Sequence, residues 1–308
     1  MNPHKAPPAS KLRAWIQAAR PLAQGNILPP LLLGQGLACA VCGRFGVRAF
    51  LVAFAFGLLV QLFIVFANDC ADWRSDVQNR TYNLFSGGSR VVPEGKLTPL
   101  DLARAAGITS IALVTLAVWT GFTLELPLIL FFAAGSLGLV WAYSFPPIRL
   151  SYRGRGELLQ ALGIGALLPA VGFYLQCGAI ARLPWPALLP VMLLGWAGNV
   201  TTSLPDFPSD RATGKRSYPV RRGELAARRA SLFAIAIAAA GAPLVVPRAP
   251  SYLLAALVAL PLFLLFVNRR NLARADARNV DACRRFVSLN AAAITAALFG
   301  WTIALFAG

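Results

Sequence analysis

The chain reads as an all-α polytopic membrane protein with nine transmembrane helices. Three observations predict this. Of its 308 residues, 57% are hydrophobic, and the mean hydropathy is +0.62. Only 13% are charged, about half the share of an ordinary soluble domain. The apolar residues gather into runs of about 20, the length a helix needs to cross the hydrocarbon core.

The runs lie near residues 22–42, 48–68, 101–121, 124–144, 158–179, 186–204, 228–247, 251–268 and 286–306. Residues 1–14 read as a disordered cytoplasmic tail, with a transmembrane domain from 15 to 308. The first run follows this polar, Pro-containing tail and is long enough to span, so it is not a cleaved signal. Pro29 and Pro30 within it are tolerable kinks. The second run delivers Asn68 and Asp69 to the interface. A long loop, Val77 to Pro99, follows, and long loops are often functional. It carries Gly87-Gly88-Ser89-Arg90, whose glycines permit close backbone approach and whose Arg90 suits a phosphate. The third and fourth runs meet at a short turn near Glu125, and the fourth ends at Tyr143. The stretch Tyr152-Arg153-Gly154-Arg155-Gly156 has no strand before it and is no dinucleotide fingerprint. The fifth and sixth runs lead to Asp206. Between the last two runs, Val267 to Arg285 carries six arginines and two aspartates and reads as a solvated loop.

The net charge is +17 and the pI near 11.0. With the N-terminus inside, all but four of the 29 Lys and Arg fall on the cytoplasmic side, the exceptions being Arg44, Arg48, Arg182 and Arg248. That is the positive-inside pattern. The basicity is topology plus attraction to anionic headgroups, and no nucleic-acid partner is expected. The expectation is a multi-pass protein of the inner (plasma) membrane.

Five cysteines occur: Cys39, Cys42, Cys70, Cys177 and Cys283. Cys39 and Cys42 form a CxxC inside an apolar run with no second pair. They read as small apolar packing residues in preference to a zinc or redox pair. The single histidine, His4, lies in the tail. This removes His-based acid–base chemistry, catalytic triads and His-ligated haem.

The chemistry sits in the aspartates. Asp69, Asp72 and Asp76 at i, i+3 and i+7 share one helix face. Asp206 and Asp210, at i and i+4, follow another apolar run, with Lys215 and Arg216 just after. Of 12 acidic residues, five lie in these two clusters. Both clusters follow an even-numbered run, which places them on one membrane face and hints at two four-helix units. Crowded carboxylates beside a bilayer are costly unless a cation neutralises them. Hard oxygen ligands at a helix end suit Mg²⁺ shared with a phosphate. Two such clusters with cations nearby describe a diphosphate site. An allylic diphosphate held there would ionise to a carbocation, shielded from water by the bundle. Phe63, Phe66, Tyr143, Phe173, Tyr174 and Trp196 are candidates to face that cation.

At these motifs the chain resembles the UbiA-type intramembrane aromatic prenyltransferases. Asn68-Asp69-Cys70-Ala71-Asp72-Trp73-Arg74-Ser75-Asp76 matches the first motif, NDxxDxxxD, and Asp206 with Asp210 the second. Gly87 to Gly95, Tyr152 to Glu157 and Asp210 to Arg216 look closest to the 1,4-dihydroxy-2-naphthoate polyprenyltransferases of menaquinone synthesis. That subfamily usually carries an Asn pair and an Arg before the second cluster, where this chain has Thr202, Ser203, Leu204 and Pro205.

The resemblance implies nine helices around a central cavity open to the cytoplasm. It implies Mg²⁺ as cofactor, with a polyprenyl diphosphate and an aromatic acceptor as substrates. Asp69, Asp72, Asp76, Asp206 and Asp210 would hold metal and act in catalysis. Asn68, Arg90, Lys215, Arg216, Tyr143 and Tyr152 would meet the diphosphate. A membrane terpene cyclase using the same site is the alternative, and a transporter a more distant one, since the aspartates lie at the membrane edge.

Overall fold

The computed structural model describes residues 8–80, 82 and 87–308. Among them the fold is entirely helical. In chain order the helices are α1 (Pro8–Ala19), α2 (Leu28–Cys42), α3 (Val47–Gln78), α4 (Pro99–Thr123), α5 (Ile129–Ser144), α6 (Gly156–Leu162) and α7 (Leu168–Cys177). They continue as α8 (Leu188–Thr202), α9 (Phe207–Ala212), α10 (Tyr218–Arg222), α11 (Glu224–Ala240), α12 (Ala242–Val245), α13 (Ser251–Asn268) and α14 (Val280–Ala307). A stretch of the expected tail is therefore helical, in α1; residues 1–7 lie outside the described residues.

Five spans are long and apolar enough to cross a membrane, and the bent pair Lys11–Ala23 with Leu28–Cys42 makes a sixth. The other expected crossings fall on shorter helices, α5, α8 and α11. A 15-residue helix rises only about 22 Å. The count of nine thus remains a reading of the sequence. The fifth run is interrupted by a π-helical turn, Gly163–Leu167, where Gly165 abuts the Met192 backbone and Pro169 has no N–H to donate.

Glycines set the closest crossing. Gly34 of α2 meets the Pro169 carbonyl, and Gly172 of α7 meets that of Leu31, so a Cβ at either would collide with backbone. Small residues let membrane helices gain van der Waals contact where lipid offers no hydrophobic drive. Around this crossing, Leu33, Phe173, Leu188, Ile235 and Trp301 form one buried core, and Ile27, Phe56, Leu113, Ile129 and Val171 another. Asn290 of α14 joins four helices: it accepts from Asn268 at 2.9 Å and donates to Thr201 and Ser231 at 3.1 Å each.

The cysteine reading needs correction. Cys42 and Cys177 form a disulfide, with Cα atoms 6.0 Å apart across 135 residues of sequence. The α2–α7 crossing brings their ends together, which no local spacing reveals. The four exceptional arginines gather at this end of the bundle. Arg44 donates to the Cys177 carbonyl at 2.6 Å, Arg182 to Val41 and Arg248 to Ala40, and Arg48 lies against Trp119. The aspartates sit at the opposite end of α3, about 30 Å of helix rise away.

Candidate active site

The last turns of α3 present Asn68, Asp69, Asp72 and Asp76 to a polar cavity of about 140 Å³. Asp206, at the start of α9, and Asp210, within it, line the same cavity. The two clusters, far apart in sequence, thus share one chamber.

Each carboxylate has its own surroundings. Asp69 is buried, pairs with Arg20, and accepts the Ser89 backbone N–H at 3.0 Å. Asp72 accepts from Tyr152 Oη at 3.2 Å through one oxygen and from Lys215 Nζ at 2.8 Å through the other. Asp76 faces Asp69, Asp72 and Asp206, and its carboxylate accepts no hydrogen bond among the described residues. Asp206 accepts from Asn79 Nδ2 at 2.6 Å and from the Gly87 backbone. Asn68 accepts from Ser144 Oγ at 2.6 Å.

The electrostatics follow. Burial, and then Asp210, push Asp206 up to about 7. Burial also raises Asp210, against the pull of Lys215. For Lys215 burial works the other way, but Asp72 and Asp210 outweigh it and hold the ammonium well above the usual lysine range. Burial and Asp72 push Tyr152 up to about 12, so it donates to Asp72. Among the described residues, six carboxylates (the five aspartates and Glu157) meet only two cations, Arg20 and Lys215, in the chamber lining, and Glu157 has its own partner in Arg221. Anions this crowded and desolvated call for further positive charge.

Gly87 and Gly88, with φ of 80° and 71°, bring a backbone strap against the carboxylates. A Cβ on Gly88 would strike the Asp76 carboxylate, so only glycine suits both the conformation and the approach.

A second chamber of about 240 Å³, lined by aliphatic and polar side chains together, runs into the bundle between α3, α5, α6 and α8. Arg20, Asn68, Tyr143, Asn199 and Thr202 wall both chambers. The arrangement offers an anionic, oxygen-rich mouth that shares walls with a deeper chamber, where Val60, Ile64, Val65, Leu139 and Leu167 alternate with polar side chains.

Not every expected residue reaches the chamber. Asn68, Tyr143, Lys215 and all five aspartates line it. Tyr152 touches Asp72 from outside the lining. Arg90 donates to the Asp76 main-chain carbonyl and lies over Tyr82 at 4.3 Å. Arg216 sits with Arg221 and Arg222 at a separate surface groove. Of the aromatic candidates only Tyr143 lines a chamber. Phe66 packs on Trp15, Phe173 is core, Tyr174 accepts the Leu128 N–H through its hydroxyl, and Trp196 packs on Tyr218. Sequence reasoning passed over Arg20, Asn79, Asn199 and Ser203. The one local signal for Arg20 is its place in the Arg20-Pro21 pair at the entry to the first span.

The donor set fits a hard divalent cation: carboxylate oxygens in excess, with the Asp76 carboxylate accepting no hydrogen bond among the described residues. Among the described residues no three carboxylate, thiol or imidazole groups converge tightly enough to hold one ion alone. That suits an ion held by few carboxylates and completed by phosphate oxygens.

Comparison with known proteins yields a consistent set. The profile of the UbiA prenyltransferase family matches residues 27–290. A 1,4-dihydroxy-2-naphthoate octaprenyltransferase of Mycobacterium tuberculosis is 28% identical over 255 residues, covering 81% of this chain and 83% of that protein. A 2-carboxy-1,4-naphthoquinone phytyltransferase of Synechocystis is 24% identical, covering 72% and 70%. Among solved structures, a UbiA homolog from Archaeoglobus fulgidus bound to GPP and Mg²⁺ superimposes with a TM-score of 0.64 at 15% identity, covering 96% of this chain and 100% of that one. An apo UbiA homolog from Aeropyrum pernix gives 0.65 at 19% identity, covering 90% and 97%.

Proposed function

Because this chain belongs to the UbiA prenyltransferase family, we propose that it moves a polyprenyl group from its diphosphate onto 1,4-dihydroxy-2-naphthoate or a closely related quinone precursor. The observation that carries this reading is the pairing of chambers: two acidic clusters around a polar mouth, sharing walls with a deeper chamber inside the bundle whose lining includes a run of aliphatic side chains. The naphthoate acceptor is favoured by the activities of the M. tuberculosis and Escherichia coli relatives, both 28% identical.

Asp69, Asp72, Asp76, Asp206 and Asp210 would hold Mg²⁺, which when bound supplies the positive charge that stabilises a diphosphate leaving group. Lys215 and Arg20 reach the same chamber and meet phosphate oxygens directly. Tyr152 and the Ser89 N–H hold the carboxylates in place. The isoprenoid tail lies in the second chamber, beside Tyr143. Breaking the allylic C–O bond leaves the electron pair on the diphosphate and a cation on the tail. The electron-rich ring carbon attacks that cation. The ring then regains aromaticity by losing a proton, or carbon dioxide where the attacked carbon bears the carboxylate. Water, which would quench the cation, is kept out by the aliphatic side chains of its walls.

The aspartate end faces the cytoplasm in this reading, with the N-terminus inside. Two features support it: the concentration of Lys and Arg at that end, and the disulfide at the other, since such bonds persist in oxidising compartments.

The test is diphosphate release by the detergent-purified protein with Mg²⁺ and a long allylic diphosphate. Release that requires both metal and dihydroxynaphthoate, and stops with EDTA, is expected. Metal-dependent release without any acceptor, yielding hydrocarbon or alcohol, would favour the cyclase reading instead.

A further inference from the structure

We infer that Gln61, with Gln160 on the facing wall, is the hydrogen-bonding clamp that recognises the hydroxyl groups of the aromatic acceptor; this rests on the prenyl-transfer reading above. Gln61 sits in the apolar middle of α3, seven residues before Asn68, or about 10 Å deeper along the helix. It is only 4% exposed and lines the second chamber beside Val60 and Ile64. Its side-chain amide makes no hydrogen bond among the described residues. Gln160, on α6, lines the same chamber and likewise has no side-chain partner there.

An amide that faces a chamber in place of a protein partner is free to pair with whatever polar group enters there, since a polar group away from bulk water gains by being hydrogen-bonded. The other deep amides of this bundle are paired: Gln176 donates to Gln35 at 2.8 Å, and Asn268 to Asn290 at 2.9 Å. Gln61 and Gln160 differ from these in facing a cavity instead of a partner among the described residues. The ligand that completes them must bring a polar group into that chamber. The isoprenoid tail is hydrocarbon and brings none. The diphosphate belongs at the charged mouth, with Lys215 and the aspartates. The acceptor's phenolic hydroxyls remain. They are neutral, as a neutral amide at low dielectric requires, and each can both donate and accept. A 1,4-diol carries its hydroxyls on opposite edges of the ring, matching amides on two different walls.

The experiment is steady-state kinetics of Gln61→Leu and the more nearly isosteric Gln61→Met, with Gln160→Leu beside them. Acceptors are 1,4-dihydroxy-2-naphthoate, 1-hydroxy-2-naphthoate and 4-hydroxybenzoate. Both Gln61 variants should fold, since they remove an unpaired buried amide; a thermal melt checks this. The expected result is a rise of about tenfold or more in the KM for the diol, with the KM for the prenyl diphosphate unchanged. The preference of the wild type for the diol over the monohydroxy compound should collapse. An unchanged acceptor KM, or a rise confined to the prenyl diphosphate, overturns the clamp while leaving the prenyl-transfer reading intact. If the wild type prefers 4-hydroxybenzoate, the naphthoate reading falls and the same variants still decide the role of Gln61 on that phenol. A wild type that prenylates none of the three overturns both.

Discussion

At the scale of single residues, neighbours in sequence part company in space. Lys215 and Arg216 are adjacent, yet Lys215 grips Asp72 inside the chamber while Arg216 lies at an outer groove. Lys215→Gln should therefore lower kcat/KM for the prenyl diphosphate about 100-fold or more, the scale of losing one preorganised charge. Arg216→Gln should stay within about threefold, as surface changes away from a site do. Steady-state kinetics on the two variants side by side checks this; equal losses would place Arg216 in the chamber after all. The aspartates were legible beforehand because helical periodicity alone aligns Asp69, Asp72 and Asp76. Arg20 was not, because it reaches Asp69 across 49 residues through a turn at φ 45°. Gln61 was not either: its significance lies in facing a chamber with no partner among the described residues, which only packing reveals.

Helices were legible where apolar length and capping agreed. Pro99 and the reciprocal Thr98–Asp101 capping box open α4 near the expected start of the third span, and α3 carries its run unbroken into the acidic motif. The shorter helices were less so, since hydropathy does not register a π-helical turn or the break between α11 and α12. Aromatic residues were poor guides, because Phe66 and Phe173 fill helix contacts as readily as they could face a cation. What joins the helices is partly polar. Asn290 is fully buried and bonds to residues of α8, α11 and α13. Asn290→Ala should destabilise the bundle by about 1–2 kcal/mol, within the range for interhelical hydrogen bonds in membranes. Unfolding in mixed detergent micelles measures it, and an unchanged midpoint would mean that the network contributes nothing net.

Over the whole molecule, the two ends of the bundle differ in chemistry. One gathers the carboxylates with most of the basic residues, the other the disulfide and four arginines. The membrane fold followed from composition, whereas the pairing of Cys42 with Cys177 needed the tertiary crossing of α2 and α7. If the disulfide end faces outward, an impermeant reductant added to intact cells should free Cys42 and Cys177 for maleimide labelling. Labelling only after lysis would reverse the orientation. The chamber itself depends on two halves of the chain closing on one space. Its most direct test is the binding of a non-reactive prenyl thiolodiphosphate to the purified protein by calorimetry. Wild type, Asp72→Asn and Asp206→Asn are compared with and without Mg²⁺. The account predicts metal-dependent binding by the wild type and a loss of about 100-fold or more when either cluster is disabled. Binding that ignores metal, or that survives the loss of Asp206, would contradict a diphosphate site shared by both clusters.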